Sequence, residues 1–406
     1  MPGHRKAQRP CTSACVVVAL AIAQAARAQP IVDNDYAVDL TVGPVMGSAR
    51  AVGLAGAAAA IAEREDGIGF NPAAVANRTA DARGRWDWDL GLSFLTTRGG
   101  DDIDNNGIAE EKRDLSGVTS VGGLLQFGHF GVGAHATVFE YVIEDGDGQV
   151  VSLDLTMARV AAGYGWFAGQ VVAAGAVRVV SIELGSGGED PLLEITSVAP
   201  DLGVLVRPAQ RPFRVGVVLA GEVEADQTLP SPAPGERCVA VGELCLPSRV
   251  TAAWFGSAAL AWRAFGPGAF NPAPVWDEDA KPHRGGRFLL VTGQLDVIGP
   301  HDEQDDAHAF QSFLRQEEQP AGRQAVFAPR LAAEAEVMPR RLRVRGGGYW
   351  EPSRFEGVSG RLHGAAGLDV RLFDFNLLGS HALQLSFAFD GAPRYVNAGL
   401  ALGFWH

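Results

Sequence analysis

Apolar and polar residues alternate one by one through most of the chain. In "RWDWDLGLSFL", Trp86, Trp88, Leu90, Leu92 and Phe94 fall on one face and Asp87, Asp89, Gly91 and Ser93 on the other. A period of two is the signature of a β-strand with two different faces. The pattern predicts strands over Arg85–Thr97, Gly117–Phe127, Phe130–Val142, Val150–Tyr164, Gly169–Glu183, Leu193–Arg207 and Phe213–Glu224. It continues over Arg249–Arg263, Arg287–Ile298, Ala325–Val337, Arg341–Trp350, Arg361–Phe373, His381–Phe389 and Arg394–Trp405. Short connections such as "GH" (128–129) and "PAQRP" (208–212) alternate with long polar ones such as "RGGDDIDNNGIAEEKRDLS" (98–116). About fourteen strands, short turns against long loops and an aromatic-rich last strand together predict a transmembrane antiparallel β-barrel. A soluble periplasmic β-protein is the alternative, with the same apolar stripes as its core.

The first residues decide the compartment. Arg5, Lys6 and Arg9 precede a short apolar run, Ala14–Ala26, and "ARA" (26–28) has the spacing of a signal-peptidase site. The run is too short to span a bilayer as a helix, so residues 1–28 read as a secretory signal peptide. Its loss leaves 30 basic against 47 acidic side chains, a net charge of −17, which argues against a nucleic-acid partner. Two of the four cysteines leave with it. Cys238 and Cys245 remain, and their spacing in an oxidising compartment predicts a local disulfide.

The segment before the first strand has neither the charge-free length of a membrane span nor a strand period. "GLAGAAAAIAEREDGIGFNPAAVA" (53–76) is small and apolar, then acidic, then turns at Asn71-Pro72. "AGAAAAIAE" predicts a short helix ended by "REDG", with Gly67 in a left-handed turn. A barrel of this size has a lumen to fill, and a compact segment of about fifty residues suits it. "GSARAVGLAGAAAAIAEREDGIGFNPAAVA" resembles the amino-terminal hatch of the FadL family of outer-membrane transporters for fatty acids and other hydrophobic compounds. Gly53, Gly56, Ala57, Asp66, Phe70, Asn71, Pro72 and Ala73 match its pattern, while Ala74 stands where relatives have glycine. "APDLGVLVRPAQRPFRVGVVL" (199–219) and "LRVRGGGYWEPSRF" (342–355) resemble strands of the same family more loosely.

The resemblance implies an all-β protein in three parts: signal peptide 1–28, hatch 29–84 and barrel 85–406. It implies passive uptake of hydrophobic molecules, gating through Gly53, Gly56, Asp66, Phe70, Asn71, Pro72 and Ala73, and sideways release through the wall. A non-transporting barrel that scaffolds other secreted proteins is the alternative; a charged lumen favours it and an apolar tunnel favours transport. The implied partners are the outer-membrane bilayer, hydrophobic small molecules and the barrel assembly machinery. A closed barrel without free edges implies a monomer.

Other clusters are weaker. Asp102, Asp104, Asn106 and Gly107 have calcium-loop spacing, but Arg113 stands where the last bidentate acid belongs. His301 and His308 flank acids in "HDEQDDAH". Arg159, Arg178, Arg343 and Arg345 are expected to face the lumen, because a charge facing lipid at mid-bilayer costs about 2–4 kcal/mol. Bracing pairs with acids such as Asp154 or Glu334 are the ordinary role. Arg343 and Arg345, on one face, are candidates for an anionic headgroup. No nucleophile elbow or triad order is visible, and neither an enzyme nor a cofactor is expected.

Overall fold

The computed structural model describes residues 29–405, except 80–81, 83, 98–101, 109–114, 145–149, 186–190, 192, 242–243, 267–269, 275, 277–285, 302–306 and 378–379. The signal peptide lies outside the described residues. In chain order the elements are β1 (Ala37–Asp39), α1 (Ala49–Gly53), α2 (Arg64–Ile68), a 3-10 turn (Pro72–Ala76), β2 (Trp86–Thr97), β3 (Leu115–Phe127), β4 (Phe130–Glu144) and β5 (Val150–Trp166). There follow β6 (Val171–Gly185), β7 (Leu193–Val206), β8 (Phe213–Ala220), β9 (Val223–Asp226), β10 (Ala240–Val241), β11 (Leu244–Cys245), β12 (Arg249–Ala252), β13 (Phe255–Phe265) and β14 (Leu289–Ile298). The chain ends with β15 (Ala307–Ala309), α3 (Phe310–Arg315), β16 (Val326–Met338), β17 (Leu342–Glu351), β18 (Arg361–Asn376), β19 (Ser380–Ala392) and β20 (Tyr395–Phe404).

Fourteen of the described strands close into one antiparallel barrel: β2 to β8, β13, β14 and β16 to β20, with β20 returning to β2. The alternation explains its two surfaces. Leu90, Phe94, Leu125, Val160, Leu331 and Leu362 point outward and are largely exposed, while their neighbours face the lumen. An apolar exterior on a closed antiparallel wall, with neighbouring strands paired all the way round, is the architecture of an outer-membrane protein. It excludes the soluble alternative, in which these stripes would be buried. No described helix is long and apolar enough to cross a membrane.

The short connections 128–129, 167–170, 207–212 and 339–341 lie at one end, the periplasmic one by the usual asymmetry. The connection 266–288 at that same end is long, against expectation. Two expected strands were too generous. Phe213–Glu224 and Arg249–Arg263 each contain a wall strand and a second, inner strand. β8 stops at Ala220 and β13 starts at Phe255, while β9 and β12 pair with each other and leave the wall. The alternation runs through both because Val223-Glu224-Ala225-Asp226 and Arg249-Val250-Thr251-Ala252 alternate apolar with polar residues as the wall does.

β9 and β12 join β1 and β15 in a four-stranded sheet of order β15-β1-β12-β9. Its apolar residues Val38, Val223 and Val250 share a core with Phe139, Tyr141, Leu153, Leu155 and Ile182 of the inner wall. The sheet therefore sits at the outer end of the lumen. From it the amino-terminal chain descends through the barrel to the periplasmic end.

Candidate functional site

The descending segment is held residue by residue. Ser48 caps α1, its Oγ accepting from Ala51 N at 3.3 Å. Ala55 and Gly56 then take positive φ values of 53° and 72°, which ends the helix. The expected helix over Ala55–Glu63 is thus displaced to either side, into α1 and α2. Gly67 lies inside α2 and Arg64, not Gly67, has the left-handed backbone, φ 65°. The alanine run instead lies against the wall. Thr292 Oγ1 donates to Ala57 O and Ala59 N donates to Gln294 Oε1, both at 3.0 Å.

Asn71 is the central fixing point. It is fully buried. Its Oδ1 accepts from Ala73 N at 3.0 Å, capping the 3-10 turn that Pro72 opens. Its Nδ2 donates to Ala59 O of the segment and to Val204 O of β7. One side chain ties two stretches of plug to the wall. Of the other motif residues, Pro72 and Ala73 belong to this same turn. Phe70 is half-buried with its ring against Gly47. Asp66 pairs with Arg50 at 3.9 Å. Gly53 and Gly56 lie further along, Gly53 against Gly367 of β18 and Gly56 beside Arg330 of β16.

The wall contributes residues that sequence reasoning missed. A Cβ at Gly131 would strike Val75 O, one at Gly203 would strike Asn71 Oδ1, and one at Gly216 would strike Ala59 O. These inward glycines form the track on which the plug rests. Glu65 is a further missed residue. Burial first, then Asp66 and Asp89, push its carboxyl well above the usual range. It stands over the paired Gly91 and Gly122 of β2 and β3.

The motif also occurs twice. Phe70-Asn71-Pro72-Ala73 is repeated as Phe270-Asn271-Pro272-Ala273 in the long periplasmic connection. Asn271 is buried too. Its Nδ2 donates to Pro208 O, Arg211 O and Phe213 O, and its Oδ1 accepts from Arg214 Nε at 2.8 Å. Arg214 also holds Glu63 of the plug at 2.5 Å. Arg207 donates to Pro272 O and to Arg78 O. Two wall arginines thus clamp plug and connection together. The tetrapeptide repeat was the signal that could have found this.

The lumen divides by chemistry. Its outer half beside β4–β7 is apolar. A small pocket there is lined by Leu40, Val42, Ile103, Tyr141, Leu155 and Phe310, with Thr41, Gly43 and Asp104 completing it. The side formed by β14 and β16–β19 is charged but internally paired. Arg345 is buried between Glu334, 2.7 Å from its Nε, and Asp369, which takes both terminal nitrogens. Arg343 pairs with Glu336 at 3.1 Å and lies over the Trp405 ring. Both guanidiniums, the candidates for an anionic headgroup, are engaged by carboxylates of neighbouring wall strands. Arg159 and Arg178 share Asp201. Asp154 does not partner them; register places it in a row with Glu140 and Glu183, on the opposite face of β5 from Arg159.

No protein-family model matches the sequence, and no curated protein matches it. Solved structures do. The toluene transporter TbuX of Ralstonia pickettii superposes with a TM-score of 0.50 at 13% identity, over 90% of this chain and 99% of that one. The toluene transporter TodX of P. putida gives 0.50 at 12%, over 90% and 99%. A TodX deltaS2S3 mutant, a monoaromatic hydrocarbon channel, gives 0.51 at 10%, over 88% and 98%. The chain has the FadL-type barrel fold.

Two further expectations concern the loops of this FadL-type barrel. Asp102, Asp104 and Asn106 do converge, but on their own backbone. Asn106 N and Gly107 N donate to the two oxygens of Asp102, at 2.9 and 3.0 Å, and Asn106 Nδ2 reaches Asp104 Oδ2 at 3.3 Å. Among the described residues no group of three or more His, Cys, Asp or Glu is arranged to hold a metal. The loop is a folded corner pinned to β17, where Asn105 Nδ2 donates to Glu351 O. The expected disulfide is not formed: Cys238 and Cys245 are free thiols. Cys245 Sγ donates instead to Asp33 O at 3.3 Å, and burial followed by the neighbouring Cys238 pushes its thiol up.

Proposed function

We propose that this protein is an outer-membrane porter through which hydrophobic molecules cross passively, with residues 29–84 as its hatch. The observation that carries this reading is an apolar pocket at the outer end of a lumen otherwise closed by a plug. Burial of apolar surface offers a hydrophobic solute a downhill step from water, without an energy source. Cargo is neutral in this reading. The pocket has no basic lining residue, and its one carboxyl group is Asp104. An apolar compound gains from such a lining, whereas a carboxylate would be desolvated without a partner.

Sideways release has support in the wall. β7 is paired with β8 only from Asp201 to Val206, so the described edge of β7 beyond Pro200 lacks a β8 partner in the ladder. The inner side there carries Leu193, Ile195 and Ala199, continuous with the apolar core around the pocket. A second reading, a barrel that scaffolds other proteins, draws on the charged half of the lumen.

Uptake separates the two. A Gram-negative strain lacking its own hydrophobic-compound porters would express this chain, or Asn71→Ala, at matched outer-membrane levels. Faster entry of labelled toluene than of labelled oleate, altered by Asn71→Ala, is the expected result. No entry of either compound with a folded barrel would sink the porter reading and leave the scaffold.

A further inference from the structure

The amino-terminal chain has a second part, at the outer end, that neither plug nor wall explains. β1 lies between β12 and β15 and runs parallel to both: Ala37 opposes Arg249 and Ala307, and Asp39 opposes Thr251 and Ala309. β12 and β15 belong to two different outer connections, far later in the chain. A parallel pair cannot be closed by a hairpin, so this sheet requires the amino-terminal chain to be threaded up the lumen and inserted between them.

Side chains fix the insertion. Asn34 Nδ2 donates to Val239 O and Leu246 O at 3.0 and 2.7 Å, and its Oδ1 accepts from Val239 N at 2.8 Å. Tyr36 Oη donates to Cys245 O at 2.6 Å. Asp39 is buried and receives Arg354 Nε at 3.0 Å from one connection and His301 Nε2 at 3.1 Å from another. His301 also meets Thr251 Oγ1 and Glu222 Oε1 of the β8–β13 connection, at 3.2 and 3.4 Å. Three outer connections thus converge on one carboxylate of the amino-terminal chain. The strand itself has only three residues in register on each side, a short ladder that can break while the wall stays closed.

We propose that residues 31–40 are a lid strand: the amino-terminal chain closes the barrel's outer mouth as an inner strand of the four-stranded sheet, bolted by Asp39. Leu40, the last residue of the lid, and Thr41 and Val42 after it line the apolar pocket, so release of the strand opens the pocket to the outside. The lid holds whatever the barrel carries, and its test does not involve transport.

The test is thiol labelling of intact cells in the full chain with Cys238→Ser and Cys245→Ser, serine keeping the donor to Asp33. Asp35→Cys, at an exposed position, should react with a bulky membrane-impermeant maleimide without permeabilisation. Gln210→Cys, in the periplasmic turn, should react only after it. Labelling at position 35 only after permeabilisation would overturn the placement. Closure is read from Thr41→Cys and a small charged thiol reagent. Its labelling should be at least about tenfold faster when Asp39→Asn is added, and likewise with Tyr36→Phe if the first variant fails to fold by gel heat-modifiability. An unchanged rate in a folded variant would mean that the strand reaches the surface but closes nothing, which also overturns the lid.

Discussion

At the scale of single residues, buried polar groups do most of the specifying. Asn71→Ala should leave the buried Ala59 O without its donor, at a cost of about 1–3 kcal/mol, and remove the tie to Val204 O of the wall. Hydrogen exchange over 57–76 should accelerate. Gly203→Ala should give the same local result from the wall side, because its Cβ takes the place of Asn71 Oδ1. Protection unchanged in both would show that Asn71 does not fix the plug. Arg345→Ala tests the bracing role. It strands Asp369, leaves Glu334 only its pair with Arg50 at 3.6 Å, and should cost about 3–5 kcal/mol, read as a lower urea midpoint of the barrel. It should leave the preference between neutral and anionic cargo unchanged; loss of oleate entry alone would restore the headgroup role.

The lid bolt predicts a pH dependence whose sign follows from two groups. Burial alone would lower His301, but its hydrogen bond to Asp39 and that group's charge raise it, with Arg354 opposing and Glu222 adding. Burial would raise Asp39, but Arg354 and His301 hold it well below the usual carboxylate range. A raised histidine contributes fully below its ordinary value of 6.5 and loses that contribution as pH rises through its folded value. A depressed carboxyl contributes above its ordinary 3.8 and loses that only in strong acid. The bolt is therefore tightest between those values and loosens toward alkaline pH. Labelling at Thr41→Cys, measured relative to an exposed cysteine at each pH, should rise from pH 6 to pH 9. His301→Gln should flatten the slope.

Among elements, the periplasmic connection and the plug should behave as one unit. Arg214 reaches Asn271 and Glu63, and Arg207 reaches Pro272 and Arg78, so each arginine spans both. Asn271→Ala should raise hydrogen exchange over 63–78 as well as over 270–274. A change confined to 270–274 would reduce the repeat to a local turn. The elements also show how far the sequence could be read. The wall strands were legible because lipid outside and lumen inside impose a two-residue period on every one of them. The same period hid the lid: β9 and β12 also alternate apolar with polar residues, and nothing in a strand's alternation says which sheet it joins. β1 was invisible for another reason. Three residues cannot display a period, and their partners are set by tertiary insertion. The plug helices were misplaced because an alanine run favours helix locally, whereas the left-handed Ala55 and Gly56 and the close approach to the wall glycines turn it into a series of tight turns. The turn at Asn71-Pro72 was legible because Asn-Pro at a turn acts within a few residues of itself.

For the whole molecule, two kinds of cohesion coexist. Wall strands share long ladders; β5 and β6 alone run in register from Ser152–Trp166 against Gly185–Val171. The amino-terminal segment has one three-residue strand, a few single backbone bonds such as Ile31 N to Gln316 O, side-chain ties and packing of small residues. Its partners lie far away in sequence, so its order depends on a wall already closed. The wall does not depend on the segment in the same way, because its ladder runs from β2 round to β20. Unfolding should therefore proceed in two steps. In rising urea, residues 29–78 should lose hydrogen-exchange protection at a lower concentration than the β4–β7 ladder, with Asp39→Asn moving the first step and leaving the second in place. Simultaneous loss in a single transition would mean that plug, lid and wall form one cooperative unit. A lid strand could then open only by straining the barrel itself, and gating by the amino-terminal chain would have to be abandoned.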